Sequence, residues 1–156
     1  MRILFVCTGN TCRSVMAEAI ASRLIAERGL QGVHAESAGT AAWEGAAASD
    51  GALLVGMERS TDLSPHRARP LSRELVSEHD LLLAMSPHHL ERLEALGGRG
   101  KSYLLTDYAS RGARADPIGD PFGGDLDQYR HTYDQLEEEI RRALDRLAAQ
   151  RSPGVS

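Results

Sequence analysis

An apolar run opens the chain and leads without pause into a tight polar loop. Residues 2 to 6 read RILFV, residues 7 to 13 read CTGNTCR, and a helical pattern begins at Ser14. A short, partly β-branched apolar run fits a strand buried on both faces. A strand that passes directly into a helix returns to its sheet by a crossover, which makes the sheet parallel. The rest of the chain repeats this unit. Helix is predicted over 14–28, where Met16, Ile20 and Leu24 share a face and Gly29 ends the run. Strand follows at 33–39, then helix at 48–59, where Gly51 and Gly56 weaken the pattern. PHRARP at 65–70 reads as a loop, with a short helix at about 71–78. The third strand is expected at 80–85, a helix capped by Ser86-Pro87 runs to Leu96, and the fourth strand is expected at 101–106.

Residues 107–124 read as one long loop rich in Gly, Asp and Pro, and loops of that length are uncommon unless functional or disordered. From Asp125 onward Leu126, Tyr129, Tyr133, Leu136, Ile140, Leu144 and Leu147 fall on one helical stripe. The expectation is one α/β domain over 1–150, a four-stranded parallel sheet with helices on both faces (doubly wound), and a frayed tail at 151–156. Ligands of such folds sit beyond the carboxyl ends of the strands. The loop at 7–13 and the long loop at 107–124 both lie there.

Composition narrows the function. A net charge of −4 with dispersed arginines argues against nucleic acid or an anionic membrane as partner. No apolar window reaches membrane-spanning length, and Met1-Arg2 lead straight into a strand, so no signal peptide is expected. Two cysteines five positions apart do not make a secreted disulfide framework, which predicts a reducing, cytoplasmic setting.

The loop carries the chemistry. Gly9 and Asn10 are residue types that tolerate left-handed backbone, so Thr8–Cys12 can turn successive N–H groups into one concavity at a helix start. Arg13 adds a two-pronged donor suited to phosphate oxygens. Cys7 sits at the base, where a helix N-terminus and an arginine favour a thiolate. Ser14 could donate to that thiolate, act as the N-cap, or both. The plain alternative is a small buried cysteine packed as a hydrophobe.

VCTGNTCRS, together with SAGT at 37–40, DLLLAMS at 80–86 and DPFGG at 120–124, resembles the low-molecular-weight protein tyrosine phosphatase family over most of the chain. The resemblance implies a phosphocysteine intermediate, no metal or other cofactor, and phosphorylated proteins as substrates. The sequence leaves the oligomeric state open, with a monomer favoured. Carried over residue by residue, it makes Cys7 the nucleophile and Arg13 the phosphate clamp. It has Asn10 hold the strained turn with help from Ser37 and His66. Thr8, Gly9, Thr11, Cys12 and Ser14 complete the phosphate loop. Val15 departs from the proline of many relatives, which touches the helix start and not the chemistry.

The family's general acid lies in an Asp-Pro followed by an aromatic residue. Asp120-Pro121-Phe122 fits and Asp116-Pro117-Ile118 does not. One carboxyl can protonate the leaving group and then deprotonate water. Phe122 and Trp43 are expected as pocket walls, Trp43 with loop packing as its alternative. His88 and His89 are expected to point apart on a helix, and His34, His79 and His131 to have no carboxylate or cysteine around them. No histidine other than His66 is given a role.

Thr11 and DPFGG resemble the protein arginine phosphatase branch, whereas tyrosine-specific members carry isoleucine and Asp-Pro-Tyr or Asp-Pro-Trp. A threonine hydroxyl can accept from a phosphoarginine N–H that isoleucine would leave unpaired. Phosphotyrosine remains the alternative substrate. Arsenate reductases of the same fold need further cysteines downstream, and none follows Cys12. A non-enzymatic redox or anion sensor, using a Cys7–Cys12 disulfide with Cys12 as redox partner, would have no need of Asp120.

Overall fold

The computed structural model describes residues 1–151. Strands β1 (Arg2–Cys7), β2 (His34–Gly39), β3 (Leu81–Ala84) and β4 (Ser102–Leu104) form one parallel sheet in the order β2-β1-β3-β4. The α/β class, the parallel pairing and the strand count follow the sequence reading. Helices are α1 (Arg13–Arg28), α2 (Asp50–Glu58), α3 (Arg73–Glu78), α4 (Pro87–Ala95), α5 (Leu105–Ser110) and α6 (Leu126–Arg151).

Alternation along the central strands sorts their side chains into two cores. Ile3, Phe5, Leu81 and Leu83 pack with α1 and the α6 stripe of Tyr133, Leu136, Ile140 and Leu144. Leu4, Val6, Leu82 and Ala84 pack on the other face with Val76 of α3 and Leu93 of α4. Burial of both faces explains the unbroken apolar runs. The glycines that weakened the second helical pattern have packing reasons. A Cβ at Gly51 would enter the Tyr129 ring, and one at Gly56 would meet the main chain of Thr61 at 2.9 Å.

Two boundaries differ from expectation. The fourth strand stops at Leu104, and residues 105–110, split between the expected strand and the expected long loop, form α5. LTDYAS is too short to show helical periodicity; it is helical because Leu105 and Tyr108 are buried in the core beside α6. The connection at the site therefore shortens to the stretch between Ser110 and Leu126. Of the expected tail, Arg151 closes α6 and the remainder lies outside the described residues. No helix among the described residues is long and apolar enough to cross a membrane.

The chain leaves β1 toward β2 on one side and returns to β3 on the other side of β1. The carboxyl ends of β1 and β3 thus flank the point where strand order reverses, the crevice in which doubly wound sheets bind ligands. Cys7 ends β1, and Ser86 follows β3 by two residues.

Candidate active site

Residues 8–12 belong to no helix or strand, and their hydrogen bonds run outward through carbonyls. Thr8 O accepts from Ala41 N at 2.9 Å, and Thr11 O from Ser49 N at 2.9 Å. Cys12 O accepts from Met16 N at 3.1 Å, and the His66 ring Nε2 donates to Asn10 O at 2.7 Å. Among the described residues no protein group accepts from the N–H groups of residues 8–12. With every outward bond made by a carbonyl, five donors remain at the start of α1, whose first turn carries no acidic residue. That is a cradle for an anion.

Asn10 makes the turn possible. Its φ of 55° is left-handed, which costs a residue with a Cβ roughly 1 kcal/mol. Its fully buried side chain offsets the strain by using every polar atom. Nδ2 donates to Ser14 Oγ at 2.8 Å and to Ser37 Oγ at 2.9 Å, and Oδ1 accepts from Arg69 N at 3.0 Å. Ser37 Oγ in turn donates to Glu18 Oε1 at 2.6 Å. Ser14 Oγ also lies 2.8 Å from Cys7 Sγ, where its hydroxyl can donate to a thiolate. Ser14 is the second residue of α1 and not its N-cap, which is Cys12; of its two expected roles only the contact to sulfur is present. Gly39 lets the loop approach, since a Cβ there would collide with Thr8 O and lie 2.9 Å from Asn10 N.

Arg13 is 4% exposed and held from two sides. Nη1 donates to Ser86 Oγ at 3.2 Å and to Ile118 O at 3.0 Å, and Nη2 lies 3.5 Å from Asp120 Oδ2. Ser86 is at the N-cap of α4 as expected, but its hydroxyl makes no cap bond and serves Arg13 instead. Ile118 is itself pinned, its side chain buried and its N–H donating to Met85 O at 2.8 Å. The Asp120 loop is therefore tethered to the phosphate loop through one guanidinium.

These elements enclose a pocket of about 320 Å³ lined by Cys7, Thr8, Gly9, Thr11, Cys12, Arg13, Trp43, Asp120 and Phe122, with Ala41 and Ala46 between them. Asn10, Ser14, Ser37 and His66 stand behind the loop. Asp116 does not line the pocket; its main-chain oxygen accepts from Thr106 Oγ1 at 2.6 Å. Trp43 and Phe122 are 85% and 71% exposed, so both form the rim and neither is packed inside. The Cys12 thiol donates to Ser49 Oγ at 3.1 Å and lies 3.4 Å from the Tyr129 hydroxyl. Burial, and then the bond to Cys12, push the Tyr129 phenol up to about 12.

Three histidine expectations are corrected. The rings of His88 and His89 do not point apart; their centroids are 3.9 Å from each other. His89 is fully buried, with Nε2 2.8 Å from Thr8 Oγ1 of the phosphate loop. His79 does have a carboxylate beside it, with Nε2 3.0 Å from Glu36 Oε1 and Nδ1 donating to Leu75 O. Glu36 also pairs with Arg2 and Arg69. Burial raises the carboxyl pKa, but the hydrogen bonds from those two arginines outweigh it and hold the group at about 2. Nothing local in the sequence pairs His89 with Thr8, 81 positions away. Gly39 within SAGT was the available signal for the close approach of β2 to the loop.

Residues 2–153 match the family model described as low molecular weight phosphotyrosine protein phosphatase. The chain is 40% identical over 153 residues to a protein-arginine-phosphatase of Bacillus subtilis, covering 97% of this chain and 99% of the relative. It is 39% identical over 137 residues to the low molecular weight protein-tyrosine-phosphatase PtpB of Staphylococcus haemolyticus, covering 87% and 92%. A solved structure of the YwlE arginine phosphatase, a mutant with a phosphorylated active site serine, superposes with a TM-score of 0.88 at 38% identity, covering 97% of this chain and 98% of that one.

Proposed function

The chain belongs to the low molecular weight phosphotyrosine protein phosphatase family, and we propose that it is a cysteine-dependent protein phosphatase whose substrate is protein phosphoarginine. The observation that carries the reading is the N–H cradle of residues 8–12, which has no acceptor among the described residues, with the Cys7 sulfur and Asp120 lining the same pocket. In the first step the Cys7 thiolate attacks phosphorus. The bond to the leaving nitrogen breaks, and that nitrogen takes the proton of the Asp120 carboxyl. In the second step Asp120, now a carboxylate, takes a proton from water as its oxygen attacks phosphorus. The S–P bond breaks, phosphate leaves and the thiolate is restored. Arg13 and the loop N–H groups hold the phosphoryl oxygens throughout. The Ser14 hydroxyl, oriented by Asn10, stabilises the sulfur anion each time it appears.

Thr11 carries the choice of substrate. It lines the pocket with a hydroxyl that can accept from a phosphoarginine N–H. The resemblance to the arginine phosphatase of Bacillus subtilis points the same way. Phosphotyrosine is the second reading, favoured by the exposed rings of Trp43 and Phe122, which could flank a phenyl ring. Thr11→Ile separates the two. It removes the acceptor and leaves Cys7, Arg13 and Asp120 in place. The ratio of kcat/KM on phosphoarginine peptides to that on phosphotyrosine peptides is expected to fall by about tenfold or more. An unchanged ratio, or a wild-type preference for phosphotyrosine, would make tyrosine the substrate.

Cys12 is the redox partner in this account. Peroxide oxidises the Cys7 thiolate to a sulfenic acid; the Cys12 thiol attacks that sulfur, water leaves, and a disulfide forms that added thiol reduces. After mild peroxide treatment, wild type is expected to regain most activity with dithiothreitol, while Cys12→Ser regains much less. Equal recovery would leave Cys12 as a packing residue held by Ser49 and Tyr129.

A further inference from the structure

His89 lies on α4, outside the loop and outside the acid segment, yet it reaches the cradle. It is 0% exposed, and its Nε2 is 2.8 Å from Thr8 Oγ1. Its other ring nitrogen, Nδ1, is buried with no partner among the described residues. Burial first, then the adjacent His88 ring and the Arg13 guanidinium, push the pKa of His89 down to about 3, with Asp120 opposing. The ring is therefore neutral at working pH and carries one N–H and one lone pair.

Two tautomers are available, with opposite consequences for Thr8. If Nδ1 holds the proton, a buried N–H has no acceptor, an arrangement rare in folded proteins. If Nε2 holds it, Nε2–H donates to Thr8 Oγ1 and only an acceptor is left unmet, which is the better tolerated case. A hydroxyl that already accepts from Nε2–H keeps its proton to give elsewhere, and Thr8 lines the pocket.

We propose that His89 is a positioning residue that fixes the Thr8 hydroxyl as a donor toward the pocket, adding a side-chain hydrogen bond to the bound phosphoryl group. This rests on the phosphatase reading above and extends its binding site by one residue from α4. It also gives the buried His89 imidazole a use that packing alone does not call for. A charge-assisted bond to phosphate is among the stronger hydrogen bonds, so its loss is expected to weaken binding by about tenfold.

Nitrogen NMR of the wild-type imidazole tests the tautomer without any substitution. Nε2 is expected to carry the proton, with Nδ1 bare and no titration between about pH 5 and 8. A proton on Nδ1, or a ring that titrates in that range, overturns the proposal even if every variant misfolds. Titration with inorganic phosphate tests the consequence. Thr8→Val and His89→Leu are each expected to weaken phosphate binding by about tenfold, and the double variant by no more than either alone. His89→Gln, which can present an N–H near the Nε2 position, is expected to restore most of the affinity. Additive losses, or a folded His89→Leu that binds phosphate as wild type does, overturn the proposal. If wild type itself binds no phosphate, the phosphatase reading fails, which is a different result.

Discussion

Cys7→Ser is expected to abolish turnover on every phosphorylated substrate while leaving inorganic phosphate bound with affinity of the same order. The substitution replaces one atom. The cradle is built from main-chain N–H groups, the Asn10 side chain and Arg13, none of which depends on sulfur. Ser14 still has an oxygen to meet at its 2.8 Å contact. What disappears is the sulfur nucleophile; a serine hydroxyl in its place is far less acidic than a thiol and a much weaker nucleophile. Activity near wild type would remove Cys7 as nucleophile. Loss of phosphate binding together with activity would mean that the loop had collapsed.

The second large effect concerns Asp120. Without an acid, the leaving nitrogen or oxygen departs unprotonated, and without a base the attacking water keeps its proton. Asp120→Asn is therefore expected to lower kcat by roughly 10²–10⁴-fold. The loss should be smaller in the first step for p-nitrophenyl phosphate, whose leaving group departs readily as an anion. The loop should stay in place, because its anchors are Ile118 O on Arg13 and Ile118 N on Met85 O. Asp116→Asn is the control. Its carboxyl does not line the pocket, and the contact it provides is a main-chain oxygen that asparagine retains. Little change is expected there. A larger effect at Asp116 than at Asp120 would make Asp116 the acid and overturn the assignment to Asp120.

Much of this site was legible because chemistry and periodicity coincide in a short stretch. RILFV read as a strand buried on both faces, and residues 3–6 indeed supply alternate side chains to two cores. The α6 stripe from Leu126 to Leu147 was visible because its spacing repeats over many turns. Asn10 could be placed in the turn because few residue types accept its backbone. The features that were missed depend on contacts distant in sequence. Helix α5 has six residues and no periodicity to display; it forms where Leu105 and Tyr108 find the core. Ser86 looked like a cap because Ser-Pro usually begins a helix, but Arg13 claims its hydroxyl. No local pattern gives His89 a role, because only the fold brings it to Thr8, 81 positions away. Glu36 and His79 likewise meet only once β2 and the end of α3 are in place.

The covalent intermediate is the claim on which the rest depends. Wild-type protein mixed with a phosphoarginine peptide and denatured within its first turnovers at neutral pH should carry one phosphoryl group. Phosphorus NMR should identify an S–P bond, and peptide mapping should place it on Cys7. Asp120→Asn, slowed in the water step as well as the first, should still be phosphorylated at the same sulfur and hold the group longer once it is there. A phosphoryl group on any other residue would contradict the account. So would steady release of phosphate, under a quench shown to preserve S–P bonds and fast enough to sample single turnovers, with no phosphorylated protein from either wild type or Asp120→Asn.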